Sequence, residues 1–280
     1  MIRNHLKARI GRGRATLLGA ALVASLAALS SAAPGAFASE FEEFKQCPTS
    51  NPSVVTCLIA KATSGEFTVG NRTVPIKHTV TLQGGLVEIP ETGTFTLAAA
   101  KNGETLSKTP QTVPGGLIGI EGLFGEVTAT TELAKPASSV VLSPENLIIA
   151  EGTALTLPVR LKLGNPLLGN SCYGGSSSHP ITLNLTTGTT SPPKPNKPIS
   201  GKTGTITEGE DGEVLVITEN SLVNNSFSAP GVEGCGLIPF LFDPIVDASM
   251  GVPDAEGHNT AILDGTIKLA SAEHVVEHLG

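Results

Sequence analysis

Three clusters in this chain have residue types and spacings that could do chemistry. His274-Val275-Val276-Glu277-His278 fits H-x-x-E-H, which on a helix sets two imidazoles one turn apart with a carboxylate as base, as in zinc peptidases. Such a site needs a third ligand. In peptidases of this order it lies well downstream, and here only Leu279 and Gly280 follow. The expected reading is therefore a frayed, amphipathic tail over 271–280. Gly175-Ser176-Ser177-Ser178-His179 sets hydroxyls beside an imidazole, but nucleophile and base are usually brought together from distant segments. Asp254, Glu256, His258 and Asp264 gather acids around a histidine, in a Pro- and Gly-bounded loop where turn hydrogen bonds account for them. Glu208, Glu210, Asp211 and Glu213 crowd one turn without the alternating Asp/Asn pattern of a calcium loop. His78 sits among apolar alternation and reads as a core histidine. There is no G-x-S-x-G, G-x-G-x-x-G or P-loop motif. The sequence thus assigns no catalytic, metal or cofactor residue.

The elements that must position these residues are strands. Leu155, Leu157, Val159, Leu161 and Leu163 alternate with Thr156, Pro158, Arg160 and Lys162, the period-two pattern of a half-buried strand. Pro158 cannot donate to a ladder, which predicts an edge or a bulge there. Ile181, Leu183 and Leu185 repeat the pattern. Ile76, His78, Val80 and Leu82 share a face, as do Phe95 with Leu97 and Val127 with Ala129 and Leu133; the short apolar run 214–217 suits a central strand. Gly and Pro number 32 and 20 and mostly separate these runs. Regularly spaced strands with such punctuation indicate an all-β sandwich, or a barrel-like variant, over 39–270. A short helix is expected within 237–250, interrupted by Pro239 and Pro244. A break into two smaller β domains is conceivable near 135–139, but one continuous sandwich is preferred. The proline-rich run 191–198 reads as an extended connector.

Composition and targeting narrow the function. Arg3, Lys7, Arg9, Arg12 and Arg14 precede an Ala- and Leu-rich stretch that ends at Ala36-Phe37-Ala38. A basic start, a short apolar core and an A-x-A site make a secretory signal over 1–38, cleaved between Ala38 and Ser39. No later run is long enough to span a bilayer. The whole chain has 18 basic and 25 acidic residues; the signal holds five of the basic ones and no acid, so the remainder is 13 against 25, a net charge of −12. That excess of acid excludes nucleic acid as an expected partner. With no Trp and a single Tyr there is little material for an aromatic sugar platform, although sugar binding by hydrogen bonds stays open. Cys47, Cys57, Cys172 and Cys235 all lie beyond the signal. In an oxidising compartment they form two disulfides, of three possible connectivities, with Cys47–Cys57 and Cys172–Cys235 favoured.

The runs Leu167-Leu168-Gly169-Asn170-Ser171-Cys172-Tyr173, PITLNLTTG from Pro180 to Gly188, Asn196-Lys197-Pro198-Ile199-Ser200-Gly201 and Gly257-His258-Asn259-Thr260-Ala261 resemble those of a group of uncharacterised secreted actinobacterial proteins. Cys47-Pro48 with Cys57, and Gly65-Glu66-Phe67, are similar too. The resemblance implies export and a shared β fold, and brings no activity or ligand with it. The expectation is a secreted or envelope-associated, non-enzymatic β protein. Its alternative is an extracellular binding module or hydrolase with a shallow site near 174–179 and 254–264.

Overall fold

The computed structural model describes residues 40–116, 125–209 and 212–280. The signal and its Ala38/Ser39 cleavage site lie outside them, as do Glu210 and Asp211. Alternation becomes architecture most directly in β8 (Leu155–Gly164): Leu155, Leu157, Val159, Leu161 and Leu163 are all buried while their odd-even neighbours reach the surface, Pro158 excepted. β8 pairs antiparallel with β10 (Ile181–Leu185) and β9 (Tyr173–Gly174) along one edge. Along its other edge it pairs with β7 (Val141–Leu142) and β6 (Thr128–Leu133). It is therefore an inner strand, and the edge expected from Pro158 is corrected. Pro158 sits where β7 has ended at Thr156 and β6 begins at Val159, so no ladder partner there needs its missing N–H. Its carbonyl is used, accepting from the Ala134 N–H at 3.0 Å.

The remaining strands extend this into a fourteen-stranded antiparallel sheet. From β7 the order continues through β4 (Thr94–Ala99), β3 (Val80–Ile89), β1 (Val54–Val69), β14 (Thr260–Ser271), β12 (Val214–Asn224) and β11 (Thr205–Glu208). The sheet then closes on itself. Thr186, just past β10, exchanges two 2.9 Å backbone hydrogen bonds with Val223 of β12, and the Asn224 side chain donates to the Asn184 carbonyl at 2.6 Å. A preferred sandwich thus resolves into the barrel-like alternative, a curled sheet that leaves fewer open edges. The 214–217 run is internal, as its apolar character suggested. β2 (Arg72–Pro75) and β5 (Pro110–Thr112) extend β1 and β6, and β13 (Val232–Glu233) pairs with β9. The 135–139 segment is a short turn between β6 and β7, both of which pair with β8.

Two one-residue bulges decide which side chains face inward. β14 keeps strict alternation, with Ala261, Leu263, Ile267 and Leu269 in the core. Opposite Gly265, β1 inserts a residue between Ala62 and Ser64, and β12 inserts one between Ile217 and Asn220. Each insertion flips the parity of its strand. Hence Leu58 and Ala60 on one side of the first bulge share the interior with Phe67 and Val69 on the other, and Ile217 shares it with Leu222.

A second, smaller core lies outside the wall. Cys57, Ile59, Val214 and Ala270 point outward from β1, β12 and β14, and are covered by Phe41, Phe44 and Val275. Val275 belongs to α3 (Ala272–Leu279), capped by Ser271 whose hydroxyl accepts from the His274 N–H at 3.1 Å. The frayed tail expected over 271–280 is thus corrected: its amphipathic pattern is real, and the apolar side docks. α1 (Pro144–Ile149) and α2 (Pro239–Met250, containing Pro244) are further helices among the described residues; α2 occupies the 237–250 helical expectation. Cys47–Cys57 and Cys172–Cys235 are the disulfides, and no cysteine is free. Among the described residues no helix is long and apolar enough to cross a membrane.

Candidate functional site

The interior of the curled sheet is not completely filled. A partly open cavity of about 110 Å³ lies inside it, lined by residues of β1, β2, β3, β5, β6, β8, β10, β12 and β14 and by Met250 of α2. Its wall is the inward face that strand parity and the two bulges create: Phe67, Leu157, Leu183, Leu222, Leu263 and Ile267 are representative. Protein interiors carry few voids larger than a water molecule. Apolar cavities of about 150 Å³ stay dry and take guests such as benzene or xenon, which sets the scale for this one.

The cavity carries few polar groups, and most are already engaged. Gln111, buried, accepts from the backbone N–H groups of Lys77 and His78 and donates to the His78 carbonyl. Asn220, buried, donates to the carbonyls of Ile217 and Gly265 at 3.2 and 3.1 Å, filling the gap its bulge opens in the ladder. Arg72 differs. Its terminal nitrogen donates to Ser249 Oγ at 3.0 Å, but its Nε is buried without a partner. A buried unmet donor of a charged group is costly. Arg72 is one of the cavity's lining residues, and among the described ones its Nε is the unmet donor.

The sequence-derived clusters are elsewhere and remain separate. Ser178 Oγ lies 3.1 Å from His179 Nδ1, and Ser176 Oγ 3.0 Å from Ser178 Oγ, in an exposed turn with no carboxylate bonded to His179. Asp254 Oδ1 meets His258 Nδ1 at 2.7 Å in a second loop. No hydrogen bond or ion pair joins the two dyads among the described residues. Asp264 is in the sheet opposite Ser64 and Ser221, four residues past Thr260 and so roughly 13 Å along the strand. His78 is exposed, correcting the core assignment: β2 ends at Pro75 and β3 begins at Val80, so the alternation through it is not one strand. Its Nδ1 lies 3.2 Å from the Pro110 carbonyl.

In the H-x-x-E-H segment, Glu277 is exposed and both histidines turn to Glu213. His278 Nε2 is 2.9 Å and His274 Nδ1 4.0 Å from Glu213 Oε2, and the His278 ring stacks on Phe41 at 4.1 Å. These contacts dock α3 onto the β11–β12 turn and the 40–47 segment. Among the described residues no group of three His, Cys, Asp or Glu side chains is placed to hold a metal ion. Beside them, Glu43 bridges two strands, with Lys61 at 2.5 Å and Lys268 at 2.6 Å. Partial burial alone would raise its carboxyl pKa; hydrogen bonds and charge from Lys268 and Lys61 outweigh that and hold it below 4.5.

Sequence reading found much of the cavity's wall as apolar strand faces, but not the cavity. Phe67, Arg72 and Met250 carry no such pattern, whereas the alternation of β8 and β10 and the faces of Ile76, Val80, Leu82 and Ala129 pointed inward. No protein-family model, no curated protein and no solved structure matches this chain.

Proposed function

We propose that this chain is a secreted or envelope-associated, non-enzymatic β protein that carries a small apolar molecule inside its curled sheet, with one acceptor atom of that molecule held by Arg72. The mainly apolar cavity of about 110 Å³ is the observation that carries the reading. Export draws support from the signal-like start and from both disulfides, which persist in oxidising compartments. The orphaned Arg72 Nε gives the guest its polarity. A hydrolase at 174–179 and 254–264 draws less support, because its two histidines belong to separate exposed dyads.

The test compares benzene with benzaldehyde, the same ring with one carbonyl acceptor, by titration calorimetry. Both bind, and benzaldehyde binds at least about ten-fold more tightly, since a hydrogen bond to a charged group contributes about 1.5–3 kcal/mol. Arg72→Met removes that advantage and leaves benzene binding intact. Failure of both probes to bind would refute the carrier reading; equal affinities would refute the role of Arg72.

A further inference from the structure

On the outer face of the wall the same two bulges open a groove of about 950 Å³, lined by residues of β1, β12 and β14, by the 201–204 segment and by Ala150. Its backbone segments approach so closely that three positions require glycine. A Cβ on Gly201 would strike the Ser221 carbonyl, one on Gly204 the Thr218 carbonyl, and one on Gly265 the Lys61 carbonyl. Left-handed backbone occurs here as well, at Ala150 as the C-cap of α1 and at Glu219 in the β12 bulge. Ala150 (φ 58°) and Glu219 (φ 55°) are the non-glycine residues with left-handed backbone among those described, and both line the groove. Glu219 is the residue that the β12 bulge pushes out. Left-handed non-glycine residues are uncommon and cluster where function retains them.

The polar lining has no internal employment. Among the described residues the side chains of Ser64, Lys202, Thr203, Thr218, Glu219, Asp264 and Thr266 have no hydrogen-bond or ion-pair partner. Hydroxyls, one ammonium and two carboxylates therefore face an open, shallow groove. No aromatic ring lines it. We infer that this groove is a second binding site, for a neutral or amine-bearing saccharide held by hydrogen bonds alone. Free hydroxyls and carboxylates match the donor-rich edge of a sugar, and two free carboxylates against one ammonium turn away acidic sugars.

The experiment uses the purified chain and backbone amide NMR with three probes: the trisaccharide of N-acetylglucosamine, maltotriose and trigalacturonate. At least one neutral probe perturbs groove resonances at about 10 mM or below, and trigalacturonate binds at least about ten-fold more weakly. Asp264→Asn and Glu219→Gly each weaken the neutral probe at least about ten-fold. Glu219→Gly also melts no lower than the wild type, because glycine relieves the left-handed backbone, so its lost binding is not lost folding. Silence of the groove toward both neutral probes, equal binding of trigalacturonate, or undiminished binding by both variants would overturn the inference.

Discussion

Replacing Ala129 by valine should make this protein more stable, against the usual direction of core substitutions. Ala129 lies on β6, half-buried, with its side chain on the cavity wall. By the measured dependence of about 24 cal/mol per Å³, a void near 110 Å³ costs about 2.6 kcal/mol when empty. Valine adds two methyl groups, worth about 0.8 kcal/mol each when buried, so the gain is about 1.6 kcal/mol. For a chain of this length that raises Tm by roughly 3–6 °C. Ala261 is the control: it is fully buried in the same core but does not line the cavity. Ala261→Val overpacks and should cost about 1–3 kcal/mol. Urea unfolding of both variants with disulfides intact, at unchanged m, reads the difference. If Ala129→Val loses as much stability as Ala261→Val, the interior has no usable void and the reasoning fails.

Other expectations follow from single features. Glu43→Gln should lower stability at pH 7 by about 1–2 kcal/mol and flatten the acid limb of the pH profile. The sign is fixed by the depressed carboxyl: the clamp stabilises above the unfolded value and is lost as pH falls through the folded one, below 4.5. An unchanged acid limb in thermal melts would show that Lys61 and Lys268 do not engage it. Asn259 is fully buried, accepting from the Gly70 N–H and donating to the Phe227 and Ala255 carbonyls. Asn259→Ala should therefore cost about 3 kcal/mol or more in denaturant unfolding. Replacing Cys172 and Cys235 by serine should cost about 4 kcal/mol, against about 3 for Cys47 and Cys57, because the first pair closes 63 residues and the second 10. Equal losses would argue that loop entropy is not the main term.

Local alternation made much of the wall legible. β8 and β10 follow from their period-two pattern because one face is core along the whole strand. β1 does not, since its inward residues change parity at the Ala62–Ser64 bulge and Cys57 and Ile59 face a second core. A bulge leaves no local mark beyond a misplaced hydrophobic, and the outer cover comes from 40–47 and α3, distant in sequence. Pro158 misled for a related reason: the gap that tolerates it lies between two other strands. The H-x-x-E-H segment carried a strong motif, yet its histidines found Glu213 and Phe41, partners some 65 and more residues away. The cavity itself is a volume left by closure at Thr186 and Val223, and no single residue encodes it.

The direct test of the carrier reading is a crystal of the protein pressurised with xenon, which enters dry apolar cavities. The account predicts a xenon peak inside the curled sheet between Leu157, Leu183 and Leu263, lost in Ala129→Val. Crystals with xenon only on the surface, or ordered water filling that space, would contradict it.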